Sequence, residues 1–331
     1  MGPNREEVPS VHTAAISSTY DPRRPVNLLK SLGILRRGLG DPTIRLSATD
    51  AWLAFATPQG DATLHISKLS PAGVARFGAW GPGARWAIDF APELLGSQDD
   101  WARFDEPDFF AALPEIVQRQ RREHRDMVLP RTHRIFEHAA GAVLEQRVTG
   151  IEANHAWRWL IRHHGRPAPG PAPDGLRLFP RPEQIAALKR WDWQGARVEN
   201  QRAQTLGRLA FAASRLEWWA APELGEIKPQ ASGAGTLEAA LLAIPGIGPW
   251  TVAETLQRSH GSPDHISVGD FHLAGFVGQM LTGRRVKDST MLELLSPFAG
   301  QRQRLIRLLL LSGQKKQSFG PRYAPLDHRG R

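Results

Sequence analysis

Residues 241–256, LLAIPGIGPWTVAETL, set Pro245, Gly246, Gly248 and Pro249 within five residues of an otherwise helical apolar run. Prolines and glycines at that density cannot continue a helix. Leu241, Leu242 and Ile244 before them, and Val252, Ala253 and Leu256 after them, keep helical spacing. The segment predicts two helices joined by a very tight hairpin. Glycines in such a turn let backbone N–H groups approach a ligand with no side chain in the way. A helix start behind them adds unpaired N–H donors and positive dipole character, which makes a seat for a phosphate. On its own, the same sequence also reads as an ordinary helix–helix corner.

The surrounding chain divides in two. TIRL (43–46), AWLAF (51–55), ATLHI (62–66) and RWAIDF (85–90) read as short strands, with turn material such as SATD and TPQGD between them. NLLKSLGILRRG (27–38) precedes them as a helix ending at Gly38. From about residue 108 the pattern is helical almost throughout. Examples are THRIFEHAAGAVLEQRVTG, IEANHAWRWLIRHHG, RPEQIAALKRW, VENQRAQTLGRLAFAASRLEWW and GTLEAALLAI, with three more helices expected near 270–282, 288–296 and 301–312. The expected organisation is a flexible arm (1–25), an α+β domain with an antiparallel sheet (26–107), an all-α domain (108–313) carrying the hairpin, and a basic tail (314–331).

Charge points to a polyanionic partner. The net charge is +9, and from Arg302 to Arg331 eight Lys or Arg face the single acid Asp327. There is no cysteine, so disulfides, thiolate zinc sites and a cysteine-bound iron–sulfur cluster are excluded. No apolar run is long enough to span a membrane, and the first 25 residues lack a signal-peptide core. A soluble cytoplasmic, nucleoid-associated monomer is expected.

Downstream of the hairpin, HISVGDFHL (265–273) puts Asp270 twenty residues after Trp250, at a helix start. A lone Asp there is ordinarily an N-cap. Hairpin, polar segment and Gly-Asp before an amphipathic helix together resemble the helix-hairpin-helix DNA glycosylase superfamily. The helices upstream, PFAGQRQRLIRLLLLSG (297–313) and the sheet-rich first domain are similar to its 3-methyladenine, AlkA-like branch. The likeness covers roughly residues 27–313.

That resemblance implies a base-excision enzyme acting on damaged double-stranded DNA. It makes Asp270 the essential aspartate, a carboxylate suited to stabilise the cationic sugar of glycosidic cleavage and to orient water. Trp250 stands where bifunctional relatives carry a nucleophilic lysine, and no lysine occurs between Lys228 and Lys287. Simple hydrolysis without strand cleavage is therefore expected. Trp250 and Phe271 are pocket candidates, with core packing the alternative for each. Gly246, Ile247 and Gly248 are implied phosphate contacts. The carbonyls of Leu242, Ile244 and Ile247 are implied ligands of a monovalent cation, Na+ or K+, and no other cofactor is expected. Arg147, preceded by Gln146, matches the residue that relatives push into the duplex after base flipping; a surface salt bridge is its alternative. Glu254 and Leu310 stand where the best-known bacterial relatives have aromatic residues near the pocket, which implies a narrower or differently shaped pocket. His260, His265 and His272, near Asp264 and Asp270, fit no standard zinc spacing. A DNA-binding module without catalysis, and a glycosylase for oxidised or deaminated purines, remain open as alternatives.

Overall fold

The computed structural model describes residues 16–68, 73–220 and 236–314. Its first part is one antiparallel sheet of five strands: β1 (Ile16–Tyr20), β2 (Ile44–Leu46), β3 (Asp50–Thr57), β4 (Gly60–Lys68) and β5 (Ala75–Trp80). They lie in the order β1-β5-β4-β3-β2. Alternation sets the inner face: Leu53 and Phe55, Leu64 and Ile66, and Phe77 and Ala79 bury together. They pack on helix α1 (Leu28–Leu32), capped by Asn27, and α2 (Ala84–Leu94). Burying each large apolar side chain contributes roughly 1.5–3 kcal/mol.

Three expectations for this domain change. RWAIDF is not a strand but lies within α2, where Ala84, Ala87, Ile88, Ala91 and Leu94 are buried at intervals of three and four. Trp86 and Phe90, which look alternate in a strand, lie one helical turn apart with ring centroids at 4.5 Å. The place of the fourth expected strand is taken by β5, whose ARFGAW pattern is faint because two of its inward residues are alanines. Residues 16–20, assigned to the arm, form edge strand β1, paired to β5 from Ile16↔Ala79 to Tyr20↔Ala75. Only Ile16 and Tyr20 of β1 touch the core, and its Ser-Ser-Thr centre is exposed.

The second part is helical. Short α3 (Ala102–Asp105) and α4 (Pro107–Ala112) lead into α5 (Glu115–Glu123), α6 (Ile135–Glu145) and α7 (Gly150–His164). A two-residue pair, β6 (Arg166–Pro167) with β7 (Arg177–Leu178), covers the outer face of the sheet through Leu176 and Leu178 on Ala54. There follow α8 (Pro182–Ala187), α9 (Arg190–Gly195), α10 (Asn200–Ala220) and α11 (Leu237–Leu242). The chain continues through α12 (Pro249–Ser259), α13 (Leu273–Thr282), α14 (Asp288–Leu295) and α15 (Arg302–Leu310). The expected helix RPEQIAALKRW breaks into α8 and α9. Helix α6 is the axis of one core, packed with α7, α10, α11 and α12. A second helical core joins α5, α13, α14 and α15.

Arginines fasten the two parts to each other. Arg37 crosses α6 to pair with Glu145, and Gly141 leaves it room, since a Cβ there would lie 2.2 Å from the guanidinium. Arg258 of α12 donates to the Ile34 carbonyl (3.0 Å) and Arg307 of α15 to the Lys30 carbonyl (2.9 Å). Burial and the nearby Arg258 push the Arg307 guanidinium down to about 10, against the pull of Glu254, so it stays protonated at neutral pH. Asp99 collects Arg304, the Trp101 indole N–H (2.7 Å) and the Leu129 N–H (2.9 Å).

Candidate functional site

The predicted hairpin forms. Helix α11 ends at Leu242, and Ile244 and Ile247 N–H groups close the turn on Leu241 (3.0 Å) and Ile244 (2.9 Å) carbonyls. Gly246 has φ of +98°, and its missing Cβ would sit 2.2 Å from Thr205 Oγ1 of α10. Both facts demand glycine. Gly248 is the N-cap of α12 and has no side chain to cap it, while Pro249 at the first position has no N–H to satisfy. Donors of the first turn of α12 are thereby left for an outside acceptor. Ile244 and Ile247 are buried, while Pro245 and Gly246 are exposed at the tip.

Gly246→Ala is expected to lower Tm by a few degrees, since it combines a positive φ with a clash; such strain costs about 1–3 kcal/mol. Thermal melting of the purified variant checks this. Melting at the parental temperature would mean that Thr205 yields.

A second loop is tied to the hairpin. Gln146, just past α6, donates from Nε2 to the Gly246 carbonyl (3.0 Å) and to Thr251 Oγ1 of α12 (2.8 Å). On the other side, Thr149 and Glu152 form a reciprocal cap on α7, with Thr149 N–H donating to Glu152 Oε2 at 2.9 Å. Between these anchors Arg147 is exposed in a left-handed conformation, with φ of +54°. That backbone is uncommon for a residue with a side chain and points to a positional demand. Among the described residues no carboxylate pairs with Arg147, so the salt-bridge alternative is not realised. Gln146 itself acts as a brace between the loops rather than an outward-pointing group.

Asp270 is half-exposed at the start of α13. Its Oδ1 accepts the N–H groups of His272 and Leu273, both at 2.9 Å, which fixes the carboxylate on the helix end. Gly269 beside it turns the chain at φ of +87°. Phe271 is 81% exposed, which rules out the core alternative, and its ring meets His272 edge-on. Trp250, in the first turn of α12, is half-buried.

Leu310 and Glu254, the two departures, go to different uses. Leu310 packs on the core of α5, α13, α14 and α15. Glu254 is half-buried on α12, where its Oε2 accepts from Arg258 at 2.6 Å and its Oε1 from the Ser267 hydroxyl. Burial opposes its ionisation, but the Arg258 charge and the Ser267 hydrogen bond outweigh it and hold the carboxyl below the usual range. Sequence reasoning found Glu254 only as an anomaly. Its spacing of four from Arg258 was a readable signal of pairing, whereas nothing in the sequence marks Ser267 as its partner.

The histidines do not converge. His260 is turned toward Ser259 and the His133 ring, and burial pushes it down to about 3, helped by His133 and Arg131. His265 bonds to Ser262, and Asp264 is bidentate to Arg302. Among the described residues no group of His, Asp and Glu could hold a metal ion. The carbonyls of Leu242, Ile244 and Ile247 are the hard, neutral oxygens that suit an alkali cation, though Ile244 O already accepts the Ile247 N–H. Among the described residues no helix is long and apolar enough to cross a membrane. The basic tail from Lys315 to Arg331 lies outside the described residues.

No family model matches the chain. It is 33% identical over 146 residues to a Mycobacterium tuberculosis protein described as "Probable bifunctional transcriptional activator/DNA repair enzyme AlkA", a match covering 44% of this chain. The matched part is 27% of that relative, so the chain spans about a quarter of the curated relatives it resembles. In structure it superposes on the 3-methyladenine DNA-glycosylase from Archaeoglobus fulgidus with a TM-score of 0.65 and 16% identity, covering 88% of this chain and 97% of that one. A Clostridium acetobutylicum 8-oxoguanine glycosylase/lyase in complex with DNA gives 0.61 at 10% identity, covering 86% and 90%. The fold is that of the helix-hairpin-helix glycosylases, and the sequence likeness falls on their AlkA-like branch.

Proposed function

We propose that this chain, with the helix-hairpin-helix glycosylase fold and an AlkA-like sequence, is a monofunctional DNA glycosylase. It flips an alkylated purine of the 3-methyladenine type out of duplex DNA and hydrolyses its N-glycosidic bond. The observation that carries this reading is Asp270, a half-exposed carboxylate oriented by two backbone N–H groups at the end of the segment that follows the hairpin. Departure of the base builds positive charge on the deoxyribose, and a fixed carboxylate stabilises that charge and orients the attacking water. An alkylated base is already cationic, so no second carboxylate is needed as acid. The indole face of Trp250 suits such a base by cation–π attraction.

The hairpin holds a phosphate beside the lesion through the N–H groups of Gly246 and Gly248, the Ile247 N–H being bonded within the turn, and Arg147 fills the gap left in the duplex. A monovalent cation on the Leu242, Ile244 and Ile247 carbonyls would add positive charge at the same phosphate. The protein works on duplex DNA as a monomer.

The test is a panel of duplexes, each with one alkylated, oxidised or deaminated base. Release is expected from the alkylated duplexes, with strands breaking only after alkali. Borohydride added during turnover is expected to trap no protein–DNA adduct, because Trp250 replaces the lysine a Schiff base needs. Efficient trapping would overturn the monofunctional reading. Release from oxidised duplexes alone would move the substrate to that class, and binding without any release would leave a recognition module.

A further inference from the structure

We propose that Glu254 is a positioning residue for Asp270 and that it acts through Ser267. The proposal rests on the function proposed above and concerns how its carboxylate is aimed. Helix α12 begins at the hairpin and carries Glu254 and Gln257 one to two turns further on. Gln257 Nε2 donates to the His265 carbonyl (2.9 Å) and to Ser267 Oγ (3.0 Å), while the Ser267 hydroxyl donates its proton to Glu254. Segment 265–267 is thus pinned to the hairpin helix at three points. Ser267 passes the restraint on: its carbonyl accepts the Asp270 N–H at 3.2 Å.

Beyond Ser267 the turn is held by the Val268 N–H on the Ile266 carbonyl (2.8 Å) and, at its far end, by Asp270 Oδ1 on the α13 N–H groups. Gly269 is exposed at φ of +87°, and nothing lies within 4 Å of where its Cβ would be. Released from Ser267, that glycine becomes a hinge next to the carboxylate. The ion pair of Glu254 with Arg258 makes sense in these terms. A largely buried pair such as this contributes little net stability compared with apolar side chains of similar size. It does hold Glu254 Oε1 as a permanent acceptor, which fixes the direction of the Ser267 hydroxyl and leaves its lone pairs for Gln257. A misplacement of about 1 Å at a reacting group costs on the order of a hundredfold in rate. The position that carries an aromatic side chain in some of the resembled relatives therefore serves aim here.

Ser267→Ala removes only the link, and Glu254→Gln removes the charge that orients it. Each is measured by single-turnover release from the alkylated duplex, by affinity for that duplex and by thermal melting, in the parent and in an Asp270→Asn background with incubations long enough to resolve residual rates. Release is expected to fall roughly 10- to 100-fold in each variant with affinity unchanged. In the Asp270→Asn background the second substitution should change the residual rate less than about twofold, since no carboxylate remains to be aimed. Parental rates in a folded Ser267→Ala would overturn the proposal, as would an equal loss in both backgrounds, which marks a general structural role. Should Glu254→Gln fail to fold, Ser267→Ala decides alone. A parent that releases no base from any duplex would instead defeat the proposed function itself.

Discussion

Asp270→Asn is expected to release base from an alkylated duplex at least about a hundredfold more slowly than the parent while binding that duplex as well or better. Asn is about as good a helix cap as Asp, so the bonds to His272 and Leu273 have an acceptor in the variant and the fold is kept. What goes is a full negative charge beside a developing cation. One well-placed electrostatic contact typically contributes about 2.7–4 kcal/mol to a barrier, which already exceeds a hundredfold. Losing a negative group near DNA also removes repulsion, hence the affinity. Single-turnover release and equilibrium binding on one labelled duplex check both halves. A folded variant that releases base at the parental rate would reduce Asp270 to a helix cap.

The second large effect is on stability. Asp99→Ala should lower Tm by roughly 5–10 °C, because removing one member of a buried ion pair costs about 3–5 kcal/mol. Arg304 and Asp99 side chains are 3% and 2% exposed, and without Asp99 the guanidinium keeps only neutral acceptors, the Asp100 carbonyl and Gln301. The Trp101 indole and the Leu129 N–H lose their acceptor at the same time. A double variant with Arg304→Met should recover part of the loss, since the stranded charge is then gone. No change in melting for the single variant would show that water reaches Arg304.

Which features were legible in the sequence follows from where each restraint comes from. The hairpin could be read because its cause is local: prolines and glycines at fixed offsets inside a helical pattern admit one backbone. The cap at Asp270 could be read from its place before α13, whereas its catalytic role came only from the resemblance. RWAIDF could not, since alternation over six residues and one helical face give the same apolar positions until Ala84, Ala91 and Leu94 are counted in. Strand β1 was invisible because an edge strand with Ser-Ser-Thr at its centre draws its order from β5, far along the chain. Ser267 and Thr205 were invisible as well, being defined only by what packs against them.

Gln146 sets a limit on what the molecule can engage. Because its amide clasps the hairpin at Gly246 and Thr251, the loop that carries Arg147 is coupled to the hairpin. They behave like the two jaws of a caliper locked at one setting. On the proposed function, such a tool gauges how far apart backbone and base-pair gap lie and responds only when both jaws are filled. A lesion at the very end of a strand offers one jaw nothing to grip, so it would pass unmeasured however well its base fitted the pocket.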